Sequence, residues 1–255
     1  MKTILKINPK QEKERIVSFL KQTFAEQKIK NAVIGLSGGI DSAVSLFLLN
    51  KALPKNHIFV AHLHYFPSSF EDIKQLITKI HIPEKNLYNL SIKTAVDACR
   101  ETLGIKNSDQ VRLGNVMARV RMIFLYDLAK KHNAMVVGTE NKSEHLLGYF
   151  TRFGDSASDI EPIQHLYKTQ VFELARYLGV PKEIIAAKPT ANLWEGQTDE
   201  GEFGFSYAEA DQVLYYYFEQ KLPVEKIMKE GFINAKKIIQ RVKENEYKHK
   251  TPYSL

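Results

Sequence analysis

Short apolar segments alternate with longer segments of helical periodicity, and this alternation restricts the folds that the chain can adopt. Strands are predicted over residues 32–36, 58–63, 87–92 and 134–138. Helices are predicted over residues 16–27, 43–49, 71–80, 94–102 and about 111–131. Strands that alternate with helices pair in parallel, because each helix carries the chain back across the sheet. The sequence therefore predicts an α/β fold, a doubly wound parallel sheet flanked by helices.

The sequence SGGIDS at residues 37–42 lies between the first predicted strand and the next predicted helix. Backbone N–H groups and the positive end of the helix dipole converge there, which favours a bound anion. The adjacent glycines allow close approach of the backbone, and the two serines add hydroxyl donors. Asp41 would repel a phosphate unless a cation lay between them, so the loop predicts Mg²⁺. The chain has no Gly-Lys pair, which excludes the usual P-loop and leaves a simple capped glycine turn as the alternative.

This loop is similar to the pyrophosphate loop of the ATP pyrophosphatases, which cleave ATP between its α and β phosphates. Four further segments are NVMARVRM (115–122), GTENKSE (138–144), GYFTRFGD (148–155) and LWEGQTDE (193–200). In order and spacing these segments resemble those of the NAD synthetases, which belong to the same superfamily. The resemblance covers about residues 10–252. It implies one NAD synthetase domain over residues 1–255 with an adenine nucleotide alpha-hydrolase-like fold.

The reaction that the resemblance implies is the ATP-dependent amidation of deamido-NAD (nicotinic acid adenine dinucleotide) to NAD. A carboxylate is a poor acyl donor, so it would first be adenylated, and ammonia would then displace AMP; pyrophosphate is the other product. Positioning and charge neutralisation contribute most to such phosphoryl chemistry, so no side-chain nucleophile is required. Free ammonia is the implied nitrogen donor, because relatives that use glutamine need an additional domain with a nucleophilic cysteine. The single cysteine, Cys99, falls in a predicted helix instead.

The resemblance also implies roles for individual residues. The ATP site would consist of Gly35, Leu36, Ser37, Gly38, Gly39, Ile40, Asp41, Ser42, Thr139, Lys168 and Thr190. Magnesium would be held by Asp41 and Glu144, and deamido-NAD by Arg119, Arg152, Asp159, His249 and Lys250. Catalytic roles fall to Ser37, Asp41, Lys168 and Asp159, the last of which could orient ammonia or accept its proton.

Several of these residues also have plainer interpretations. Lys168 could be an ordinary surface lysine. Glu144 could be a solvated carboxylate at a helix start. Residues 248–250 could be a frayed tail. The chain also departs from the family pattern at Arg152, where lysine is usual, and at Asn192, where aspartate is common.

The remaining segments predict loops and helices in the same domain. Residues 148–159 and 196–204 are polar and contain glycine, so they are predicted to be surface loops, and either could be a substrate lid. Residues 206–242 are predicted to be helical, and no linker separates them from the rest. The aromatic run at residues 215–218 is expected to pack in the core or against a second copy of the chain. A homodimer is expected from the resemblance.

Composition and charge narrow the class of partner. With 36 lysines and arginines against 29 acidic residues, the net charge of +7 favours an anionic partner, either nucleic acid or a phosphorylated small molecule. The basic residues are scattered, which argues against nucleic acid. One cysteine excludes disulfide scaffolds and cysteine-rich zinc sites. We expect a cytoplasmic protein with no membrane partner, since no apolar stretch approaches the roughly 20 residues of a membrane span and no export signal is recognised.

Two alternatives remain open at this stage. A tRNA-modifying ATP pyrophosphatase would use the same loop and could exploit the positive charge, although the chain lacks a basic module. A nucleotide-binding module without catalysis would also use the loop. Such a module would not need the full set of Asp41, Glu144 and Lys168.

Overall fold

The computed structural model describes residues 5–67, 70–106, 108–194, 196–250 and 252–253. Glu195, which belongs to one of the quoted motifs, lies outside them. The helices, in chain order, are α1 (Pro9–Glu26), α2 (Ile40–Ala52), α3 (Phe70–Ile80), α4 (Lys93–Thr102), α5 (Gln110–His132), α6 (Lys142–Leu147), α7 (Lys168–Leu178), α8 (Lys182–Ala186), α9 (Asp199–Phe203), α10 (Tyr207–Phe218), α11 (Val224–Lys229) and α12 (Ala235–Asn245). Short 3-10 turns span Lys55–His57, Glu84–Asn86 and Glu246–Lys248. None of the described helices is both long and apolar enough to cross a membrane.

Parallel strands form a single sheet in the order β3-β2-β1-β4. β1 (Asn31–Gly35) lies between β2 (Ile58–His64) and β4 (Ala134–Val137), and β3 (Leu87–Ser91) forms the outer edge beyond β2. The chain runs outward from β1 to β3 and then returns to the opposite side of β1. This reversal creates a crevice at the carboxyl ends of β1 and β4, where ligands bind in such sheets. The predicted α/β class and doubly wound parallel sheet are confirmed.

Alternate residues of the strands point into two separate hydrophobic layers, as the pleat requires. Ile34 belongs to the layer formed with α1, α2 and α7, whereas its neighbour Val33 belongs to the layer formed with α4 and α5. Both side chains are fully buried. Burial on both faces explains why the central strands are continuous apolar runs without polar alternation.

The predicted boundaries of the strands and of α3, α4 and α5 agree with the structure to within about one residue. α2 extends three residues beyond its predicted bounds at each end, and α1 begins at Pro9 and not at residue 16. Asn8 caps the helix by accepting a hydrogen bond from Gln11 N, and proline occupies the first turn. The first two turns are polar and solvent-facing, so hydrophobic periodicity could not detect them.

A layer of C-terminal helices packs against α6 and α7. α10 packs on both of these helices, and α12 packs on α6. The layer has its own hydrophobic cluster, to which the aromatic residues 215–218 contribute partly buried rings. The predicted helices over residues 206–242 are therefore confirmed, and the aromatic run packs in this core.

The prediction of a surface loop at residues 196–204 is wrong in part. This segment contains α9, capped by Thr198 and ended by Gly204 in the left-handed conformation. Phe203 is buried in the C-terminal cluster, and Gln197 is also buried. A helix of one turn is too short to give a periodic signal, so the glycines and acidic residues predicted only a loop.

Candidate active site

The glycine loop connects β1 to α2, and the first N–H groups of that helix have no side-chain cap. Gly38 has φ of 87°, a conformation that favours glycine. Ser37 and Ser42 are linked through their hydroxyl oxygens at 3.1 Å, and Ser37 Oγ accepts a hydrogen bond from Gly39 N at 3.2 Å. No side chain caps the first turn of α2. Its N–H groups therefore face the crevice and can bind an anion.

A buried lysine joins two carboxylates at the mouth of this loop. Lys168 Nζ donates to Asp41 Oδ2 at 2.6 Å and to Glu144 Oε1 at 2.9 Å. Lys168 is only 2% exposed, which excludes the surface-lysine interpretation. The three residues belong to the first turns of α2, α6 and α7, so helix starts meet at this point.

The electrostatics of the cluster follow from its burial. Burial raises the pKa of Glu144, although the Lys168 ammonium opposes that shift. Burial alone would lower the pKa of Lys168, but the Asp41 and Glu144 carboxylates raise it by more, so the ammonium form is favoured. Lys168 therefore presents an ammonium group, flanked by two acidic side chains, at the mouth of the glycine loop.

Asn141 orients both carboxylates and was not predicted as a site residue. Its Nδ2 donates to Asp41 Oδ1 at 2.9 Å, and its Oδ1 accepts from Glu144 N at 3.0 Å. Glu144 Oε2 in turn accepts from Asn141 N, which completes a capping box at the start of α6. The spacing N-x-x-E before an apolar segment is the signal that could have identified it.

Asp199 and Tyr207 extend the buried polar network behind Lys168. The Tyr207 hydroxyl donates to Asp199 Oδ2 at 3.0 Å, and Lys168 Nζ lies 5.2 Å from the centre of the Tyr207 ring. Burial raises the pKa of Asp199. The sequence motif that contains Asp199 was recognised, but no role was assigned to this residue.

The residues present fit a magnesium ion that arrives with a nucleotide. Asp41 and Glu144 stand on either side of the Lys168 ammonium, so their oxygens already surround a positive charge. In the part of the chain that the structure describes, no group of three or more His, Cys, Asp or Glu residues could hold a metal ion. Magnesium typically takes one or two carboxylates and completes its shell with phosphate oxygens and water. Two carboxylates beside an anion-binding loop match that pattern.

A second cavity, of about 260 Å³, is lined by basic and aromatic side chains. Arg152 and His249 line it, together with Lys248, Phe150 and Glu140. Lys248 Nζ donates to the carbonyl oxygens of residues 148 and 150, so the tail is attached to the body of the protein. The frayed-tail interpretation is therefore wrong for Lys248 and His249.

The other predicted site residues differ in their burial and in their distance from the second cavity. Arg119 donates to the carbonyl oxygen of Arg152 and so borders the second cavity, whereas exposed Lys250 pairs with Glu246 at 2.8 Å. Thr139 lies two residues after β4 and is half-buried. Asp159 Oδ2 accepts from Val136 N at 2.7 Å. Thr190 is exposed, and its hydroxyl accepts from Asn192 N at 3.0 Å.

Comparison with known proteins identifies the family of the chain. The chain matches the NAD synthase family over residues 12–252. The NH(3)-dependent NAD(+) synthetase of Fusobacterium nucleatum subsp. nucleatum is 42% identical over 253 residues, 97% of this chain and 96% of the relative. Among solved structures, NMN synthetase from Francisella tularensis superposes with a TM-score of 0.82 at 34% identity, covering 98% of this chain and 99% of that chain. NH3-dependent NAD synthetase from Campylobacter jejuni subsp. jejuni gives a TM-score of 0.80 at 30% identity, covering 98% and 100%. The predicted adenine nucleotide alpha-hydrolase-like fold is confirmed by these neighbours. The chain therefore belongs to the NAD synthase family and is a ligase that forms a C–N bond.

Proposed function

We propose that the chain converts deamido-NAD to NAD with ammonia and ATP, through an adenylated nicotinate, and releases AMP and pyrophosphate. One observation carries the proposal: Lys168 is buried between Asp41 and Glu144, beside the uncapped start of α2 at the switch point of the sheet. That arrangement supplies an anion site, a fixed cation and two carboxylates for a metal within one crevice. These are the groups that a transfer to the α-phosphorus of ATP requires.

The glycine loop would bind the triphosphate. Gly35, Leu36 and Ile40 shape the loop, the amides of Gly38 and Gly39 approach the phosphate oxygens, and the hydroxyls of Ser37 and Ser42 donate to them. Lys168 supplies positive charge next to the α-phosphorus. Thr139 and Thr190 complete the nucleotide site. Magnesium held by Asp41 and Glu144 would neutralise phosphate charge when bound.

The second cavity would accept the dinucleotide. Arg152 and His249 line it, and Arg119 borders it, so a pyrophosphate and a carboxylate would meet basic side chains. Lys250 would reach substrate from the end of the chain. For Asp159 we propose the handling of ammonia, with the carboxylate held in place by Val136 N. Loss of turnover in Asp159→Asn, beyond any change in KM for deamido-NAD, would support that role.

Free ammonia is the proposed nitrogen donor, because the chain aligns over 97% of its length with an NH(3)-dependent relative and covers 96% of it. We also propose a homodimer. Large apolar side chains are exposed on one helix, α5, where Val111 is 65% and Ile123 is 66% exposed. Light scattering during size-exclusion chromatography would measure the mass of the protein in solution and so its number of subunits.

A second candidate substrate is nicotinic acid mononucleotide. The similarity to NMN synthetase of Francisella tularensis favours testing it, since that structure matches this chain as well as the NAD synthetase does. Both substrates carry the nicotinate carboxylate, so the same crevice could serve either. The tRNA-modifying alternative has no comparable support, because the family match covers residues 12–252.

The direct test is to incubate the purified protein with ATP, Mg²⁺, ammonium chloride and either deamido-NAD or nicotinic acid mononucleotide. NAD, AMP and pyrophosphate in equal amounts from the first mixture would support the proposal, and a glutamine-only mixture should give none. Preference for nicotinic acid mononucleotide would change the proposed substrate and leave the proposed reaction chemistry unchanged. Absence of AMP in every mixture would refute the proposed reaction. Lys168→Ala serves as the inactive control.

A further inference from the structure

Asp211 is a fully buried carboxylate on α10 that lines neither the crevice at the glycine loop nor the second cavity. Its exposed fraction is 0%. Oδ1 accepts a hydrogen bond from the Ser143 hydroxyl at 2.5 Å, and Oδ2 accepts from Thr169 N at 2.8 Å. A buried carboxylate is costly unless its oxygens are satisfied. Here the donors come from two different helices, so the carboxylate links both of them to α10.

The two linked helices are those that carry the site. Ser143 directly precedes Glu144 in α6, and its Oγ accepts from Lys168 N at 2.8 Å. Lys168 and Thr169 are the first two residues of α7. Asp211 and Ser143 therefore satisfy two of the N–H groups at the start of α7 that no helix carbonyl can reach. A negative charge at this position also interacts favourably with the helix dipole.

We propose that Asp211 is a positioning residue for the nucleotide and magnesium site. It sets the distance between Glu144 and Lys168 by holding the starts of α6 and α7 against one support. The inference rests on the proposed function, because it assumes that these two residues bind metal and phosphate. Asp211 touches neither ligand and acts only through Ser143 and the backbone of α7.

Burial raises the pKa of Asp211 to about 6, so the carboxylate is ionised at neutral pH. Replacement by asparagine keeps the size of the side chain but removes one acceptor. The amide nitrogen would face either the Thr169 N–H or the Ser143 hydroxyl, and one of these donors would lose its acceptor. The starts of the two helices would no longer be held in one arrangement.

Glu209 provides a matched control on the same helix. Its carboxylate accepts from Asn234 N at 2.9 Å and from Asn234 Nδ2 at 2.6 Å, which links α10 to the start of α12. Glu209→Gln therefore weakens a similar connection of the C-terminal layer without reaching α6 or α7. Any effect that both variants share reports only on the stability of that layer.

The experiment compares Asp211→Asn, Glu209→Gln and the unchanged protein by calorimetric binding of ATP with Mg²⁺, by Mg²⁺ dependence of turnover, and by thermal unfolding. We expect Asp211→Asn to weaken Mg²⁺-dependent ATP binding by about 10- to 100-fold, as loss of a supporting contact to metal ligands typically does. The KM for deamido-NAD and the ligand affinity of Glu209→Gln should stay unchanged.

Ser143→Ala is the second test, since it removes the link to Lys168 N while leaving the carboxylate. It should shift ATP and Mg²⁺ binding in the same direction as Asp211→Asn, which keeps the inference testable if that variant does not fold. Equal effects of the α10 variants, or no effect of Ser143→Ala on binding, would overturn the inference. A protein that binds ATP and Mg²⁺ in this Asp211-dependent way but makes no NAD would overturn the proposed function alone.

Discussion

Glu161 makes the stability of the protein depend on pH, and the size of the effect can be worked out from its surroundings. The carboxyl group lies against the backbone at the end of β4, where Oε1 accepts from the Ser158 hydroxyl at 2.7 Å and Oε2 accepts from Glu140 N at 3.1 Å. A Cβ placed on Gly138 would lie 1.8 Å from Oε1, which shows how closely the strand end approaches. Burial raises the pKa of Glu161 from 4.5 to about 8.

The sign of the effect follows from the proton count in the two states. Between pH 4.5 and about 8 the unfolded chain has released the proton of Glu161, whereas the folded protein still holds it. Because the unfolded state binds fewer protons in this range, stability falls as pH rises. The contribution is fully present below pH 4.5 and is lost above about pH 8. A shift of this size corresponds to about 5 kcal/mol, taken as an upper bound.

Glu161→Gln removes the titration, because an amide does not ionise. The free energy of unfolding, measured in urea from pH 5 to pH 9, should fall with pH in the unchanged protein and fall by several kcal/mol less in the variant. At pH 9 the variant should be the more stable of the two. Glu14→Gln, on the exposed surface of α1, is the control for loss of one carboxylate. Parallel curves for Glu161→Gln and the unchanged protein would refute the reasoning.

Other substitutions separate the parts of the site. Gly148 has φ of 62°, and a Cβ there would lie 2.2 Å from Asn245 Cβ, so Gly148→Ala should cost about 1–3 kcal/mol and raise the KM for deamido-NAD by displacing the chain before His249. Steady-state kinetics with each substrate would detect it, and an unchanged KM would contradict it. Lys168→Ala should lower kcat by about 100-fold or more, measured as AMP formation, because the positive charge beside the phosphates is lost; near-normal turnover would remove Lys168 from the mechanism. Asn141→Ala should cost about 1 kcal/mol through the lost helix cap and also weaken Mg²⁺ dependence, as seen by unfolding and metal titration; loss of stability alone would restrict Asn141 to a structural role.

The fold could be predicted because its signals are local. The central strands are short apolar runs, and the segments between them are long enough to form helices, so the parallel order follows from the alternation. α9 was missed because one turn of helix has no period to detect. The start of α1 was missed because its first turns are polar on all sides.

The candidate site residues were named from one loop and from the family resemblance. Residues 37–42 were recognised from their own pattern, Glu144 and Lys168 only from the resemblance, and the structure brings Asp41 and Glu144 to that lysine. Asp211 gave no signal, because a carboxylate within a helical segment resembles a solvated surface residue. Its partners, Ser143 and Thr169, are separated from it by 68 and 42 residues. Only the packing of α10 on α6 and α7 reveals the connection.

The ion pairs of Lys168 have a consequence for the order in which ligands bind. Without ligands, the Lys168 ammonium is paired with Asp41 and Glu144, so a positive charge already lies between the two carboxylates. A nucleotide that attracts the ammonium toward its phosphates leaves those carboxylates with uncompensated negative charge, which a divalent cation can then neutralise. We therefore expect the binding of nucleotide and of a divalent cation to be linked, with each raising the affinity for the other by the same factor.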